Sequence, residues 1–446
     1  MGNKADMAYL EFELARDERR IKRIKENPDP TKPKSNMLLY EADRDLRLEQ
    51  INAVKEGGPP FAWVSEVALT RAMGFVFWDA IRAADRSAGP LARKCFDIIR
   101  EEGMAEHVCD RTIVLLPMVL KGDFPKPNFL LVSNYECMPL FFSALLTAKI
   151  FNIPHFILDR KFESYRRLED EAQLKYVTDQ LGEMIEYAEA KVPGCKYNED
   201  KVIELQHYNR EYLKYEQQLW KLRAASPCPI ANRDAFREML LPSIYPNPAK
   251  VVEWMRQVVE EVGEKVAKGQ GALPEGVEEK LRFVWSNTGP FHHDPFTWLA
   301  TKGVSIPCSQ MTVYEGWRSG REPIWGDPWH GRKLTPLEEE ARQIDYVWGQ
   351  LGDRWVEAHL DSCRDLHLDG IIYFVQWGCT VTNNLGGVLS EVVERELGIP
   401  TLLIEGRQLD ETSWDEKDFL GRLEEFIEIA LAAKERRTLM RQEFGK

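Results

Sequence analysis

Residues 369–379, DGIIYFVQWGC, form the stretch of sequence that decides the fold. The run is apolar without alternation, a helical segment follows it at residues 384–397, and a second apolar run, IPTLLIEG, occupies residues 399–406. Strands without alternating polarity are typical of a parallel sheet that is buried on both faces. Because two parallel strands need a crossover connection, the stretch predicts a strand–helix–strand unit with a cysteine just after its first strand.

Two further segments repeat this order of elements. Residues 129–133 (FLLVS) and 153–158 (IPHFIL) flank one helical segment, and residues 281–286 (LRFVWS) and 303–309 (GVSIPCS) flank another. Three such units predict an α/β fold of two or three doubly wound, Rossmann-like (flavodoxin-like) parallel-sheet domains. The length of 446 residues agrees with several cores packed against each other.

The chain divides into four parts by composition. Residues 1–36 end in NPDPTKPKSN, which cannot continue a helix, so we expect an N-terminal arm or linker that docks on a partner. Residues 37–160 are predicted to be a helical lead-in followed by the first α/β unit, and residues 161–277 to be an inserted helical layer. Residues 278–446 then hold the other α/β units and a closing amphipathic C-terminal helix.

The composition excludes some classes of function. A formal charge of -13 and a pI near 5.3 disfavour a nucleic-acid or anionic membrane surface, because binding phosphates needs a dense field of Lys and Arg. No run approaches the roughly 20 apolar residues that span a bilayer, and carboxylates stand where a signal peptide needs apolar residues. We therefore expect a cytoplasmic protein whose eight cysteines are buried thiols, metal ligands or redox groups rather than disulfides.

Two cysteines stand where a doubly wound sheet binds its ligands, just beyond the carboxyl ends of strands. Cys137 comes four residues after Ser133, Cys379 comes three after Gln376, and a helical segment follows each cysteine. The unpaired N–H groups of a helix amino terminus favour the thiolate, which is the form that binds iron. Cys109 precedes Cys137 by 28 residues and could reach the same edge of the sheet from the side. The sequence has no CxxC pair and no ferredoxin-type cysteine spacing. For each of these three cysteines, packing as a small buried hydrophobic residue is therefore the alternative to binding a metal.

Three longer stretches carry a family resemblance. They are residues 107–137 (HVCDRTIVLLPMVLKGDFPKPNFLLVSNYEC), residues 207–230 (HYNREYLKYEQQLWKLRAASPCPI) and the C-terminal text DGIIYFVQWGCT, ERELGIPTLLIEGRQLDE and GRLEEFIE. From about residue 60 onward, the chain resembles the 2-hydroxyacyl-CoA dehydratase and benzoyl-CoA reductase family. Three shorter motifs, GDFPKPNFLL, IEG and ARKCFDIIREEG, are most similar to the sequence of the larger cluster-bearing subunit of the ATP-dependent, class I benzoyl-CoA reductases.

The resemblance implies a cofactor and partners. In the family, three cysteines hold a 4Fe-4S cluster, and the matching positions are Cys109, Cys137 and Cys379. It also implies a homologous cluster-bearing subunit as partner and a separate ATP-hydrolysing iron-sulfur activator. The chain has no GxxxxGK[ST] loop of its own, which is consistent with an external activator. Three iron ligands leave one iron open to water or to substrate oxygen.

The activity implied by the resemblance is the use of low-potential single electrons to reduce an acyl-CoA thioester, in a benzoyl-CoA type of ring reduction. Radical dehydration of a 2-hydroxyacyl-CoA to an enoyl-CoA is the alternative within the family. An electron-transfer or scaffold subunit, a double-cubane-cluster reductase and a metal-free Rossmann-type binding protein are further alternatives. Asp110, where the family has Ser or Thr, Thr380, where dehydratases tend to have Arg, and Asn128, in place of Asp, depart from the pattern.

Other side chains are candidates for the chemistry around a cluster. His292 and His293 follow the predicted strand LRFVWS and could deliver a proton, with Glu136 and Tyr135 beside Cys137 as the next candidates. A capping or surface role is the alternative for the histidines. The phosphates of CoA need Arg or Lys, and a basic run could supply them, although solvated surface charge is the alternative. That run contributes Arg160, Lys161, Arg166 and Arg167.

The remaining cysteines are interpreted as structural. Cys95 lies on the apolar side of a predicted helix, where packing competes with a role as a supporting ligand. If several of the cysteines converge, the resemblance allows a larger double-cubane 8Fe cluster as an alternative to 4Fe-4S. The remaining cysteines that are interpreted as structural, besides Cys95, are Cys195, Cys228, Cys308 and Cys363.

Overall fold

The computed structural model describes residues 4–29, 32–63, 67–133, 137–159, 170–236, 241–309, 316–346, 353–380 and 382–444. In these residues two four-stranded sheets form, and every strand pairing in them is parallel. This architecture confirms the predicted α/β fold with parallel sheets.

The first sheet has the strand order β2-β1-β3-β4. Its strands are short: β1 is Phe61–Trp63, β2 is Val76–Trp78, β3 is Phe129–Ser133 and β4 is His155–Leu158. The strands β1 and β2 lie inside the segment predicted as a helical lead-in, so that part of the prediction is wrong. Three residues carry too little pattern to be recognised as a strand. The pairing of β1 with β2 on one side and with β3 on the other is what defines both strands.

The second sheet has the order β6-β5-β7-β8, which repeats the topology of the first. Its strands are β5 (Leu281–Ser286), β6 (Val304–Ser309), β7 (Gly370–Gln376) and β8 (Thr401–Gly406). All six residues of β5 and of β6 are buried, as the absence of alternation predicts. In both sheets the strand order reverses between the two central strands, and ligands bind at that switch point in open parallel sheets.

Helices cover the sheets and form a third layer. The N-terminal half contains α1 (Lys4–Glu26), α2 (Asn36–Ala53), α3 (Val67–Ala72), α4 (Ala80–Asp85), α5 (Pro90–Glu101), α6 (Asp110–Lys121) and α7 (Met138–Phe151). The helical layer consists of α8 (Glu171–Lys191), α9 (Glu199–Arg223) and α10 (Pro248–Ala267). The C-terminal half adds α11 (Pro295–Thr301), α12 (Gly316–Ser319), α13 (Pro336–Tyr346), α14 (Asp353–Asp365), α15 (Asn383–Leu397) and α16 (Glu416–Phe444).

The predicted N-terminal arm contains α1, and this helix packs against α2 of the same chain. Leu10 is fully buried, and Glu13 is almost so. The Glu13 carboxylate accepts a hydrogen bond from Arg86 Nη1 at 2.6 Å. Charged groups buried in this way are tolerated because each one meets an opposite charge. Across the parts of the chain that can be described, no helix is both long and apolar enough to cross a membrane.

Candidate functional site

Two of the three predicted ligands occupy the same kind of position in the first half of the chain. Cys109 is the N-cap residue of α6, and Cys137 is the N-cap residue of α7. The free N–H groups of each first turn therefore lie close to a thiol, where they favour the thiolate and oppose the effect of burial. The sequence pattern predicted a helix start at Cys137 but left Cys109 within helical text; the structure gives both the same local environment.

The third cysteine comes from the second sheet. Cys379 lies three residues beyond the end of β7 and four before the start of α15. Burial raises the pKa of the Cys109 thiol, Arg111 lowers it, and the nearby thiols of Cys137 and Cys379 raise it further. The three thiols therefore share one electrostatic neighbourhood, although they derive from two different sheets. Cys109 is buried, while Cys137 and Cys379 are partly exposed.

Gly378 allows the two halves to touch at this point. Its φ of 78° lies in the left-handed region, which glycine adopts without strain. A Cβ atom on Gly378 would lie 2.8 Å from the backbone nitrogen of Cys109, which is closer than carbon and nitrogen can approach. The backbone before Cys379 therefore packs directly on the backbone at Cys109, and a side chain would separate them.

A buried ion pair holds the start of α6 against the loop that follows β8. Arg407 Nη1 donates to Asp110 Oδ1 at 2.8 Å, and the backbone N–H of Leu409 donates to Asp110 Oδ2 at 3.0 Å. Arg407 Nη2 also donates to the carbonyl of Glu106 at 3.1 Å. Asp110, noted as a departure from the family pattern, thus anchors the residue next to Cys109 to the second half of the chain. We call these contacts the Arg407 clamp.

Hydrogen bonds from the second half reach two of the sulfurs. Thr382 Oγ1 lies 3.0 Å from Cys379 Sγ, and Gln408 Nε2 lies 3.7 Å from Cys109 Sγ. Neither polar residue was predicted from the sequence. Gln408 lies within the quoted stretch ERELGIPTLLIEGRQLDE and Thr382 three residues after Cys379, but their contacts with the sulfurs form only in the folded chain. Their own partners are Asn287 and Thr288, directly after β5, at 2.8 and 2.9 Å.

His292 and His293 form a pair beside the Arg407 clamp. His292 Nε2 lies 3.0 Å from the carbonyl oxygen of Arg407, and since a carbonyl only accepts, Nε2 carries the proton. Burial lowers the pKa of His292, so this ring is neutral near pH 7 and its Nδ1 accepts. The Nδ1 atoms of the two rings are 2.5 Å apart, which makes His293 the donor between them. The structure thus places the pair in direct contact with the backbone of the clamp.

Several predicted site residues lie outside the described residues, and their roles stay predictions. They are Tyr135, Glu136, Arg160, Lys161, Arg166 and Arg167.

The other five cysteines are buried thiols within the packed interior. Burial raises the pKa of Cys95 and of Cys363 to about 12, and that of Cys195 and of Cys228 to about 11. Cys308 lies near Cys228 and Cys363, inside the apolar core between β5 and α14. A thiol in such surroundings stays protonated and packs as a small hydrophobic group.

The donor set at Cys109, Cys137 and Cys379 is of the chemical type that binds an iron-sulfur cluster. Within the described ranges, no three His, Cys, Asp or Glu side chains converge closely enough to hold one metal ion. Three soft thiol donors, two of them at helix amino termini, are the ligands that such a cluster takes.

Comparison with known proteins gives a consistent set of relatives. The family model described as 2-hydroxyglutaryl-CoA dehydratase, D-component, matches residues 63–430. The chain is 21% identical to the (R)-phenyllactyl-CoA dehydratase alpha subunit of Clostridium sporogenes, over 92% of this chain and 98% of that relative. It is 23% identical to the (R)-2-hydroxyisocaproyl-CoA dehydratase alpha subunit of Clostridioides difficile, over 90% of this chain and 97% of the relative.

A third relative is matched over less of its length. The chain is 22% identical to the (R)-2-hydroxyglutaryl-CoA dehydratase subunit alpha of Acidaminococcus fermentans, over 70% of this chain and 62% of that subunit. The matched range of the family model begins near residue 60, where the sequence resemblance also begins.

Proposed function

The chain belongs to the 2-hydroxyglutaryl-CoA dehydratase D-component family, and on this premise we propose that it is a subunit of an enzyme that dehydrates a 2-hydroxyacyl-CoA. The predicted resemblance to the 2-hydroxyacyl-CoA dehydratase family is thereby confirmed, as is the prediction of an enzyme subunit, whereas the closer likeness to the larger benzoyl-CoA reductase subunit stays a prediction. The three relatives are all named for dehydration of a 2-hydroxyacyl-CoA, which supports this alternative over ring reduction of a benzoyl-CoA type of thioester. In the proposed reaction the substrate loses its 2-hydroxyl group and a proton, and an enoyl-CoA and water form.

The observation that carries the proposal is the approach of Cys109, Cys137 and Cys379 from two sheets to one neighbourhood. We propose that these residues hold a 4Fe-4S cluster. When bound, such a cluster supplies single electrons and a Lewis-acidic iron that lacks a protein ligand. The helix amino termini at Cys109 and Cys137 stabilise the thiolates, and the partly exposed Cys137 and Cys379 leave a side open to substrate.

Proton transfer falls to the histidine pair in this proposal. His292 is neutral, and its Nε2 proton is engaged with the Arg407 carbonyl, so it orients His293 rather than reacting. His293 uses its Nδ1 proton for His292, which leaves its Nε2 lone pair to accept the proton that dehydration releases. His293 also stacks on the Trp414 ring at a centroid distance of 5.0 Å, which fixes the plane of its imidazole.

We propose two protein partners for this chain. The relatives are named as alpha subunits, which supports a second, homologous subunit as partner. An ATP-hydrolysing iron-sulfur activator is inferred from the family resemblance alone. The same holds for binding of the CoA phosphates by Arg160, Lys161 and Arg166, which lie outside the described residues.

Anaerobic purification of the full chain with its partner subunit tests the proposal. We expect about four irons and four sulfides per chain, their loss in Cys379→Ser, and their retention in Cys95→Ser, which changes a buried core thiol. Fewer than about three irons per wild-type chain would contradict the cluster. With activator and ATP, a 2-hydroxyacyl-CoA should yield an enoyl-CoA and water, whereas a cyclic diene from benzoyl-CoA would show that ring reduction is the activity.

A further inference from the structure

We propose that Asn287 and Thr288 are positioning residues that direct one hydrogen bond to the sulfur of Cys379 and another to the sulfur of Cys109. The two residues are adjacent, directly after β5, at the switch point of the second sheet. Each acts through one buried polar side chain that belongs to a different loop. The inference rests on the proposed function, because it assigns these groups to the cluster that the cysteines are proposed to hold.

The branch to Cys379 has a defined direction. Asn287 Oδ1 accepts the backbone N–H of Thr288 at 2.9 Å, so its Nδ2 group must face Thr382, where it donates to Oγ1 at 2.8 Å. Thr382 Oγ1 lies 3.0 Å from Cys379 Sγ. A thiolate has no proton to donate, so when Cys379 binds a cluster the Thr382 hydroxyl is the donor to the sulfur. Asn287 and Thr382 are 4% and 5% exposed, so water does not compete for these groups. The arrangement donates to sulfur, which suits a thiolate.

The branch to Cys109 follows the same logic. The hydroxyl of Thr288 donates to Gln408 Oε1 at 2.9 Å, which turns the Gln408 Nε2 group toward Cys109 Sγ at 3.7 Å. Gln408 is 1% exposed. Gly289 leaves room for the Gln408 side chain. A Cβ atom at position 289 would lie 2.6 Å from Gln408 Cβ, so only glycine permits this packing. The branch again ends in a donor that faces a sulfur.

Hydrogen bonds to the sulfur ligands set the reduction potential of a cluster, because they stabilise the extra negative charge of the reduced form. Both branches begin at neighbouring residues of one loop, so a shift of that loop changes both hydrogen bonds together. Asn287 has a φ of 67°, in the left-handed region that Asn and Asp tolerate better than other non-glycine residues. Asn287→Asp therefore preserves shape and backbone while it reverses the polarity of the branch.

The test compares midpoint potentials of the loaded protein by EPR-monitored titration, together with the rate of iron loss to a chelator. Thr382→Val removes the hydroxyl without changing shape, and the backbone carbonyl of Thr382 keeps its bond from Tyr373. We expect its potential to fall such that the ratio of reduced to oxidised cluster changes about tenfold, which corresponds to about 59 mV for one electron. Thr382→Ser should restore the wild-type potential, because serine keeps the donor.

The branch itself is tested by Asn287→Asp. A carboxylate accepts the Thr382 hydroxyl proton and turns it away from Cys379, so the potential should fall in the same direction. The double variant Asn287→Asp with Thr382→Val should then have the same potential as Asn287→Asp alone, since both proteins carry the carboxylate and both lack the hydrogen bond from Thr382 to the sulfur. Thr412→Val is the matched control, because the Thr412 hydroxyl donates to Asp410 at 2.7 Å and not to a sulfur.

The outcomes separate this inference from the proposed function. Loaded Thr382→Val and Asn287→Asp proteins with the wild-type potential, or a shift as large in Thr412→Val, would overturn the inference and leave the cluster intact. A wild-type chain that binds no cluster would overturn both. Iron loss that is faster in Thr382→Val than in Thr382→Ser supports the inference independently of the enzyme's activity.

Discussion

The two sheets share one topology and differ in what they give to the site. The first sheet, with β1 and β2 of three residues each, presents Cys109 and Cys137 at helix amino termini. The second sheet, with central strands of six and seven residues, presents Cys379 in a loop and surrounds it with buried polar side chains. The first side thus combines helix N–H groups with one side-chain donor, Gln408, whereas the second side has only the side-chain donor Thr382 among the contacts described. The same fold accommodates both solutions.

The largest effect is expected from breaking the Arg407 clamp that joins the two halves. Arg407→Ala leaves the fully buried Asp110 carboxylate without its cation, and we expect a loss of about 3–5 kcal/mol in the free energy of unfolding. Urea denaturation under anaerobic conditions measures it. The control is Arg93→Ala, which breaks the exposed ion pair with Glu411 between the same two regions and should cost at most about 1 kcal/mol. Equal losses in both variants would show that the buried Arg407 clamp contributes no more to the free energy of unfolding than the exposed ion pair does.

A substitution at Gly378 tests the direct contact between the halves. Gly378→Ala strains a backbone with a φ of 78° and drives a Cβ into Cys109, so we expect a loss of about 2–4 kcal/mol and impaired cluster binding. Gly57 is the matched control, since its φ is 77° and a Cβ there meets nothing within 4 Å. Gly57→Ala should therefore show only the backbone cost, about 1 kcal/mol. An equally stable Gly378→Ala protein with normal iron content would contradict the contact.

The second sheet should respond to pH through a buried histidine. His359 is fully buried on α14, its Nδ1 donates to the Trp355 carbonyl at 2.7 Å, and burial lowers its pKa from 6.5 to about 4. The folded state therefore binds this proton less readily than the unfolded state. The stability is complete above pH 6.5 and falls as the pH drops from 6.5 through about 4, by roughly 3 kcal/mol. The measurement is urea denaturation across this range.

In that titration His359→Gln serves as the reference, because glutamine can donate and accept in the same place without binding a proton. The difference between wild type and variant isolates the contribution of this residue from the other titrating groups. A wild-type stability that does not decline relative to the variant between pH 6.5 and pH 4 would show that His359 is not held neutral.

The smallest effect concerns the serines at the ends of two central strands. Ser286 Oγ, at the end of β5, donates to His359 Nε2 at 2.8 Å, so Ser286→Ala leaves a buried acceptor unpaired and should cost about 1–2 kcal/mol. Ser133 Oγ, at the end of β3, is buried without a hydrogen-bond partner in the described residues. Ser133→Ala should thus be neutral or slightly stabilising. The reverse ranking in denaturant would contradict the assignment of polar support to the second sheet.

The parts of the fold that could be predicted are those with local patterns. The runs FLLVS, LRFVWS and IIYFVQ predicted β3, β5 and β7, because a buried parallel strand must be apolar throughout. The position of Cys137 at a helix start followed from the same pattern. The strands β1 and β2 could not be predicted, since three residues carry no period and the pairing that joins them to the sheet, Ala62 with Phe129, spans 67 residues.

The polar support of the site was equally inaccessible to sequence reasoning. Asn287 meets a partner 95 residues away, and Thr288 meets one 120 residues away. The need for glycine at position 378 could not be read from the sequence, because it arises from the backbone of Val108 and Cys109, which approaches Gly378 only in the folded chain. Motifs placed the thiols at strand and helix ends, whereas the side chains that orient them are set by how the two halves pack.

The Arg407 clamp also imposes an order on biosynthesis. Asp110 precedes Arg407 by 297 residues, so a ribosome that adds 5–20 residues per second needs roughly 15–60 s to supply the cation after the carboxylate has emerged. During that interval the thiols of Cys109 and Cys137 have neither Cys379 nor the covering loop beside them. Delivery of iron and sulfide to the proposed cluster is therefore a late event, and oxygen that reaches the nascent chain meets unprotected thiols.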